Sequence, residues 1–253
     1  MTRPDLAPTP AWLLWTERVL ALAALVAVTW ACITAWSAIV HGHPAYAVLL
    51  ALTAAVAVAI AALSFARTTS RGGWRTAARV TGAVLGAVWI AGVAWLRPFP
   101  AVEPALAAMD GRELASVEET LTTIELTPAV APLNTSVAVL VQPGARVDPR
   151  AYAAHFLPLA EAGYHVRIVK QPLGIAFTSL GVWPDPLREP YAASWVVAGH
   201  SLGGTVAAIQ AGDHQDDEAG PAAARLLPRR RRLGLAHRAG AVDLGIRRWA
   251  VDT

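Results

Sequence analysis

The sequence predicts an α/β fold in which an N-terminal three-helix transmembrane region is followed by an incomplete parallel sheet with helices on its faces. Three observations lead to this prediction. Uncharged apolar runs fill the first hundred residues, and nearly all the acidic residues lie beyond them. Strand-like and helix-like segments then alternate up to about residue 218. An arginine-rich segment stands where further strands of the sheet should follow.

Three apolar runs are long enough to cross a bilayer. They are free of charged residues and cover residues 19–40, 45–66 and 80–96. At the rise of an α-helix they reach about 33, 33 and 26 Å, against a hydrocarbon core of about 30 Å. We therefore predict helices at about 12–40, 45–66 and 79–96, within a transmembrane region at 1–97. A cleaved signal peptide is the alternative for the first run, but no small-residue cleavage site precedes Trp36 and two further runs follow.

The arginines predict the orientation of this region in a cell membrane. The loop between the second and third runs carries four of them, Arg67, Arg71, Arg75 and Arg79, whereas loop 41–44 has neither Lys nor Arg. Positive residues favour the cytoplasmic side. We therefore expect a multi-pass protein with a cytoplasmic N-terminus, a lipid bilayer as its partner, and an extracytoplasmic domain after the third helix.

Charge and cysteine content exclude several other classes. The formal net charge is +3, and Lys170 is the only lysine. Because basic patches interleaved with aromatic residues are absent from the sequence, we expect no nucleic-acid partner. The single cysteine, Cys32, lies in an apolar run and can form no disulfide within the chain. We expect neither a metal nor a cofactor.

The region 98–218 has the alternation of elements that a sheet covered by helices requires. An early strand is predicted at 118–127 and further strands at 136–141, 164–169 and 194–198, with helices at 152–162 and directly after residue 201. Gly163 ends the first of these helices and Pro172 follows the strand after it. This order predicts a parallel sheet.

The segment Gly199-His200-Ser201-Leu202-Gly203 fits the motif G-x-S-x-G in the context that the motif needs, directly after an apolar strand and at the start of a helix. A serine on such a sharp turn is exposed and strained, and the flanking glycines leave room for it. The N–H groups at the start of the helix favour the negative charge of a tetrahedral intermediate. Ser201 is the predicted nucleophile, and the N–H of Leu202 is a predicted oxyanion donor.

Two blocks, VLVQPGARVDPRAY at 139–152 and WVVAGHSLGG at 195–204, resemble the α/β-hydrolase family, specifically its small membrane-tethered type from high-GC bacteria. The resemblance covers roughly residues 120–218. It implies that the loop after the third strand supplies a second oxyanion N–H, at Gly144 or Ala145, because Pro143 has no N–H. It also implies that His200 packs beside this loop.

The family orders its catalytic triad as Ser, then Asp or Glu, then His. In the aberrant tail at 219–253, Asp243 follows His237, which is the reverse order, and no segment has the pattern of a buried strand. We therefore expect an incomplete triad and a truncated or frameshifted chain. Reading GC-rich codons one nucleotide later permits the segments GLLLPGSYPADD and GSADGLST, the second of which resembles the acid-bearing segment of the family.

The function expected from ancestry is that of a membrane-anchored serine hydrolase, esterase-like, which acts on a small acyl substrate and is impaired in the form written. The alternative is a non-catalytic membrane protein that binds a partner or anionic lipid through its soluble domain or its basic tail. A third possibility is an unstable gene fragment.

Overall fold

The structure is a computed structural model and describes residues 7–8, 10–66, 69–70, 73–129, 137–184 and 192–214. The chain divides into two compact units, residues 1–39 with 44–97, and residues 40–43 with those from Pro98 onward. The predicted tail at 219–253, including His237 and Asp243, lies outside the described residues.

The first unit consists of three long helices and a two-residue strand pair. The elements are β1 (Ala7–Pro8), α1 (Ala11–Val40), α2 (Ala45–Ala66), β2 (Thr69–Ser70) and α3 (Gly73–Trp95), with β1 antiparallel to β2. All three helices are long and apolar enough to cross a membrane. Their outward side chains are apolar: Ile33, Phe65 and Val88 are 77, 70 and 64% exposed. Such surfaces suit lipid rather than water, which supports the predicted membrane association.

The third helix begins at Gly73, six residues before the predicted start at 79. The predicted start followed the uncharged run that begins at Val80, whereas the helical backbone also includes the polar residues before it. Charged side chains limit how much of a helix enters lipid, but they are compatible with helical backbone. Arg79 forms a bidentate ion pair with Glu17 of α1, and Arg75 lies over the ring of Trp74.

The second unit contains a mixed five-stranded sheet. Its strands are β3 (Ala115–Glu119), β4 (Thr123–Pro128), β5 (Val137–Gln142), β6 (His165–Val169) and β7 (Ser194–Gly199), in the order β3-β4-β6-β5-β7. Strands β6, β5 and β7 are parallel, whereas β4 is antiparallel to both β3 and β6. The α/β class is confirmed, and the sheet is only partly parallel.

The single early strand predicted at 118–127 is a hairpin of two strands, β3 and β4. Thr120 makes the turn between them: its N–H donates to the carbonyl oxygen of Thr123 at 2.9 Å, and its Oγ1 accepts the N–H of Thr123 at 3.0 Å. A threonine hydroxyl that bonds the backbone locally favours a turn over a continuous strand. The alternating apolar pattern runs through this turn, which is why it resembles one strand.

Helices cover both faces of the sheet. Helix α4 (Ala153–Glu161) follows a 3-10 turn and packs on β4 and β6, and α5 (Leu202–Asp213) packs on β7 and β5. Alternate residues of β5 face opposite sides, so that Val141 joins the core under α4 and Leu140 the core around Trp195. Because both faces of β5 are buried, this strand is continuously apolar from Val137 to Val141.

Candidate active site

Ser201 lies on the sharp turn between the end of β7 at Gly199 and the start of α5 at Leu202. Its backbone angles are φ 52° and ψ −123°, in a region that residues with a side chain rarely adopt. Such a conformation costs about 1–3 kcal/mol and persists only where the surroundings impose it. The strand and the helix therefore fix an exposed serine between them, as the sequence motif predicts.

The glycines on either side of Ser201 allow the backbone to approach itself closely. A Cβ on Gly199 would collide with the carbonyl oxygen of Gly203. A Cβ on Gly203 would collide with the carbonyl oxygens of Gln142 and Pro143, at the end of β5. The first turn of α5 therefore rests directly on the backbone of the neighbouring strand, which leaves no space for a larger residue at either glycine.

The loop after β5 lies beside this turn. Strand β5 is the third strand of the sheet in chain order and pairs in parallel with β7, with Gln142 opposite Gly199. Because parallel strands end at the same edge, the loop from Pro143 and the turn at Ser201 emerge together. The N–H of His200 donates to the carbonyl oxygen of Gln142 at 3.2 Å, which ties the two together.

Two of the three predicted oxyanion donors have N–H groups that donate to no described residue, namely Leu202 and Ala145. The third, Gly144, is buried, and its N–H donates to the hydroxyl oxygen of Tyr152 at 2.8 Å. The sequence left Gly144 and Ala145 as alternatives. In this structure the N–H of Gly144 is occupied, so Ala145 is the position of this loop whose N–H remains available to a ligand.

Tyr152 links the loop to the serine turn and was missed by the sequence analysis. Its hydroxyl lies 3.0 Å from Nδ1 of His200, and a Cβ on Gly144 would stand only 2.7 Å from that nitrogen. His200 therefore lies beside the loop, where the resemblance placed it. Burial raises the pKa of Tyr152, and the hydrogen bond from Gly144 partly opposes this rise. Tyr152 is thus held as a neutral phenol.

A buried polar layer underlies the turn and was also missed. It consists of Gln142, Gln171, Ser179 and Gln210, each at most 3% exposed. The Nε2 of Gln142 donates to Oε1 of Gln210 in α5 at 2.9 Å, and the hydroxyl of Ser179 donates to Oε1 of Gln142 at 2.9 Å. Apart from Oε1 of Gln171, the buried amide groups of this layer are paired. The layer therefore ties α5 to β5 and so fixes the position of Ser201.

The side chain of Ser201 forms no hydrogen bond with any described residue, and Nδ1 of His200 is bonded to Tyr152. The described part of the chain therefore supplies the nucleophile turn and two available N–H groups, but no base in contact with Ser201. Within the same ranges, no three His, Cys, Asp or Glu side chains are grouped so that they could hold a metal ion.

Comparison with known proteins agrees with this architecture. Residues 138–221, about a third of the chain, match the model of the Alpha/beta hydrolase family. This segment carries β5, β6, β7 and the serine turn. No curated protein and no solved structure matches the chain. The resemblance seen in the sequence is confirmed over residues 138–221, which are similar to the α/β-hydrolase family.

Proposed function

We propose that the α/β unit is the nucleophile-bearing part of a membrane-anchored serine hydrolase that cleaves an ester or similar acyl bond outside the cytoplasm. One observation carries the proposal: Ser201 stands exposed at positive φ between β7 and α5. In the α/β-hydrolase family the nucleophile occupies this turn, and the strained conformation exposes its hydroxyl to the substrate.

In the proposed reaction, Oγ of Ser201 bonds to the carbonyl carbon of the substrate and its proton passes to a histidine base. The negative oxygen of the tetrahedral intermediate accepts hydrogen bonds from the N–H groups of Leu202 and Ala145. Collapse of this intermediate releases the alcohol, which takes the proton from the histidine, and water then hydrolyses the acyl-enzyme. The triad order of the family puts the acid and the histidine after Ser201 in the chain. In this proposal both come from the segment beyond the last described residue, His214.

A fluorophosphonate probe tests the nucleophile, because it forms a stable bond only with an activated serine. The comparison uses the chain with its present tail, a form in which the reading frame is restored near codon 218, and Ser201→Ala in each form. We expect the restored form to be labelled at Ser201, roughly 10²–10⁴-fold faster than the present form, since this is what a general base contributes. Ser116→Ala is the matched control, because Ser116 is also exposed but lies on the edge strand β3, outside the serine turn.

Two results would overturn the proposal. Labelling of the restored form at a serine other than Ser201 would remove its nucleophile. Equally fast labelling of both forms would show that the acid and base do not come from the restored segment. The coding DNA gives an independent check of the frameshift, since a single-base change must open a frame that runs well past the present stop.

The orientation that we propose can be tested by chemical labelling. Glu118 is exposed on the edge strand β3. In a Cys32→Ser background, Glu118→Cys should react with a membrane-impermeant maleimide in intact cells, because the α/β unit is proposed to lie outside. Reaction only after the cells are broken would place the unit in the cytoplasm.

A second candidate function is non-catalytic binding of a partner or of anionic lipid. The observation that favours it is the absence, in the described part of the chain, of a base that contacts Ser201. It predicts that Ser201→Ala leaves the cellular role of the protein intact, whereas loss of that role in this variant favours the hydrolase.

A further inference from the structure

The helical unit contains a groove of about 490 Å³ between α1, α2 and α3, which we call the inter-helix groove. This volume lies within the range of roughly 300–1,000 Å³ that small-molecule sites occupy. Its walls are mostly apolar, with Leu20 of α1, Ile60 of α2 and Trp89 of α3 among them. The groove is therefore suited to a hydrocarbon ligand.

Two glycines of α3, Gly82 and Gly86, line the groove and keep it open. A Cβ at Gly82 would meet no atom within 4 Å, and one at Gly86 would meet only Cδ1 of Leu20, at 4.0 Å. The space that a side chain at Gly82 or Gly86 would enter therefore contains almost no atoms of the described residues. A large side chain at either position would extend into the groove and fill it.

One end of the groove is charged. Glu17 and Arg79 line it there and form two hydrogen bonds of 2.7 Å. Arg18 follows Glu17 in the sequence, and Arg75 lies one helical turn before Arg79. Arg18 and Arg75 do not line the groove but lie at this end of the helices, over the rings of Phe65 and Trp74. With them, the described charged side chains at this end sum to +2, which favours an anionic group beside them.

The rest of the groove offers few polar groups to a ligand. The indole Nε1 of Trp89 donates to Oγ1 of Thr53 at 3.1 Å, and the hydroxyl of Thr53 donates to the carbonyl oxygen of Leu49. These polar atoms are thereby satisfied by the protein itself. A ligand in this part therefore contacts hydrocarbon and aromatic surface.

The length of the groove identifies its occupant. Along α3 the lining extends from Arg79 to Ile90, which is about 16 Å at the rise of an α-helix. This is about half of a hydrocarbon core of about 30 Å, or one leaflet. A further membrane-spanning helix would need a groove across the whole bilayer, whereas an acyl chain held at the interface needs one leaflet.

We propose that the inter-helix groove binds one acyl chain of an anionic phospholipid, whose phosphate lies at the arginine-bearing end. The apolar walls accommodate the chain, the glycines provide its space, and the net positive charge selects the headgroup. The proposal depends on the three helices spanning a bilayer and is independent of the chemistry proposed for Ser201.

Native mass spectrometry of the full chain in detergent tests the headgroup and the groove together. With phosphatidylglycerol and phosphatidylcholine of identical acyl chains, we expect phosphatidylglycerol to be retained roughly 10- to 30-fold better, the ratio for two net positive charges near the lipid. Gly82→Leu and Gly86→Leu should lose this retention. Gly92→Leu is the matched control, since Gly92 is a glycine of α3 with open space around it that does not line the groove.

Equal retention of phosphatidylglycerol and phosphatidylcholine by the unaltered chain would overturn the proposal. So would a result in which all three leucine variants retain phosphatidylglycerol equally well, or all three lose it equally. Chemical cross-linking tests a second copy of the chain as the occupant. If the unaltered chain cross-links as a dimer, and Gly86→Leu abolishes the dimer but leaves lipid retention unchanged, the groove binds a second copy and not a lipid. A measurement on the unaltered chain guards against misfolded variants: phosphatidylglycerol with a diazirine in mid-chain should label peptides that line the groove. Labelling spread evenly over the outward faces of the helices contradicts the assignment.

Discussion

Gly203→Ala tests whether the start of α5 rests on the backbone of β5. The new Cβ would collide with the carbonyl oxygens of Gln142 and Pro143. The oxygen of Gln142 cannot move easily, because Gln142 ends a strand that is paired on both sides. Overpacking of this kind costs up to about 3 kcal/mol, and the better helix propensity of alanine returns about 1 kcal/mol. We therefore expect the free energy of unfolding of the α/β unit to fall by about 2 kcal/mol.

Gly212→Ala is the matched control for this change, since both glycines lie in α5 and a Cβ at Gly212 meets no atom within 4 Å. It should be neutral or stabilising by up to about 1 kcal/mol. Pulse proteolysis of the full chain in detergent and increasing urea measures both variants. If Gly203→Ala proves as stable as Gly212→Ala, the close approach of α5 to β5 is refuted.

Two further predictions concern single side chains of the α/β unit. Tyr152→Phe leaves the buried N–H of Gly144 unpaired and should lower the free energy of unfolding by about 1–3 kcal/mol. Tyr164→Phe should change it little, because the hydroxyl of Tyr164 has no hydrogen bond in the described residues. Equal effects of the two changes would contradict the Tyr152 contact. Burial lowers the pKa of His165 from 6.5, so the unfolded chain binds the proton more readily and stability should fall as pH drops below about 6.5. Urea titrations from pH 7.5 to 5 should show a smaller fall for His165→Gln, and an unchanged slope would contradict this contribution.

The parts of the fold that the sequence predicted are those with strong local signals. The bounds of α2 agree residue for residue with the apolar run at 45–66. No charge interrupts this run, and Pro44 and Arg67 directly flank it. Strand β7 and the turn at Ser201 were predicted from an apolar run followed by glycines. In each case a few neighbouring residues determine the local conformation.

The features that were missed depend on specific side-chain contacts that neither residue type nor local periodicity indicates. Tyr152 reaches Gly144 only because a 3-10 turn folds it back, and Gln142 meets Gln210 across 68 positions. Glutamine is usually a surface residue, so its presence in a core could not be inferred from its type. The antiparallel pairing of β4 likewise follows from the turn at Thr120, which the alternating pattern concealed.

Ser201 is held in a strained backbone conformation between β7 and α5, and the proposed nucleophile depends on that conformation. Comparing Ser201→Gly with Ser201→Ala tests it directly, because both remove a hydroxyl that has no hydrogen bond in the described residues and they differ only in the Cβ. Relief of about 1–3 kcal/mol of strain outweighs the entropic cost of glycine, about 0.5–1 kcal/mol. Pulse proteolysis should therefore find the glycine variant more stable than the alanine variant by roughly 1 kcal/mol, within a range of about 0–2.5 kcal/mol. A glycine variant less stable than the alanine variant, as expected for a residue in a regular helix or strand, would contradict the account.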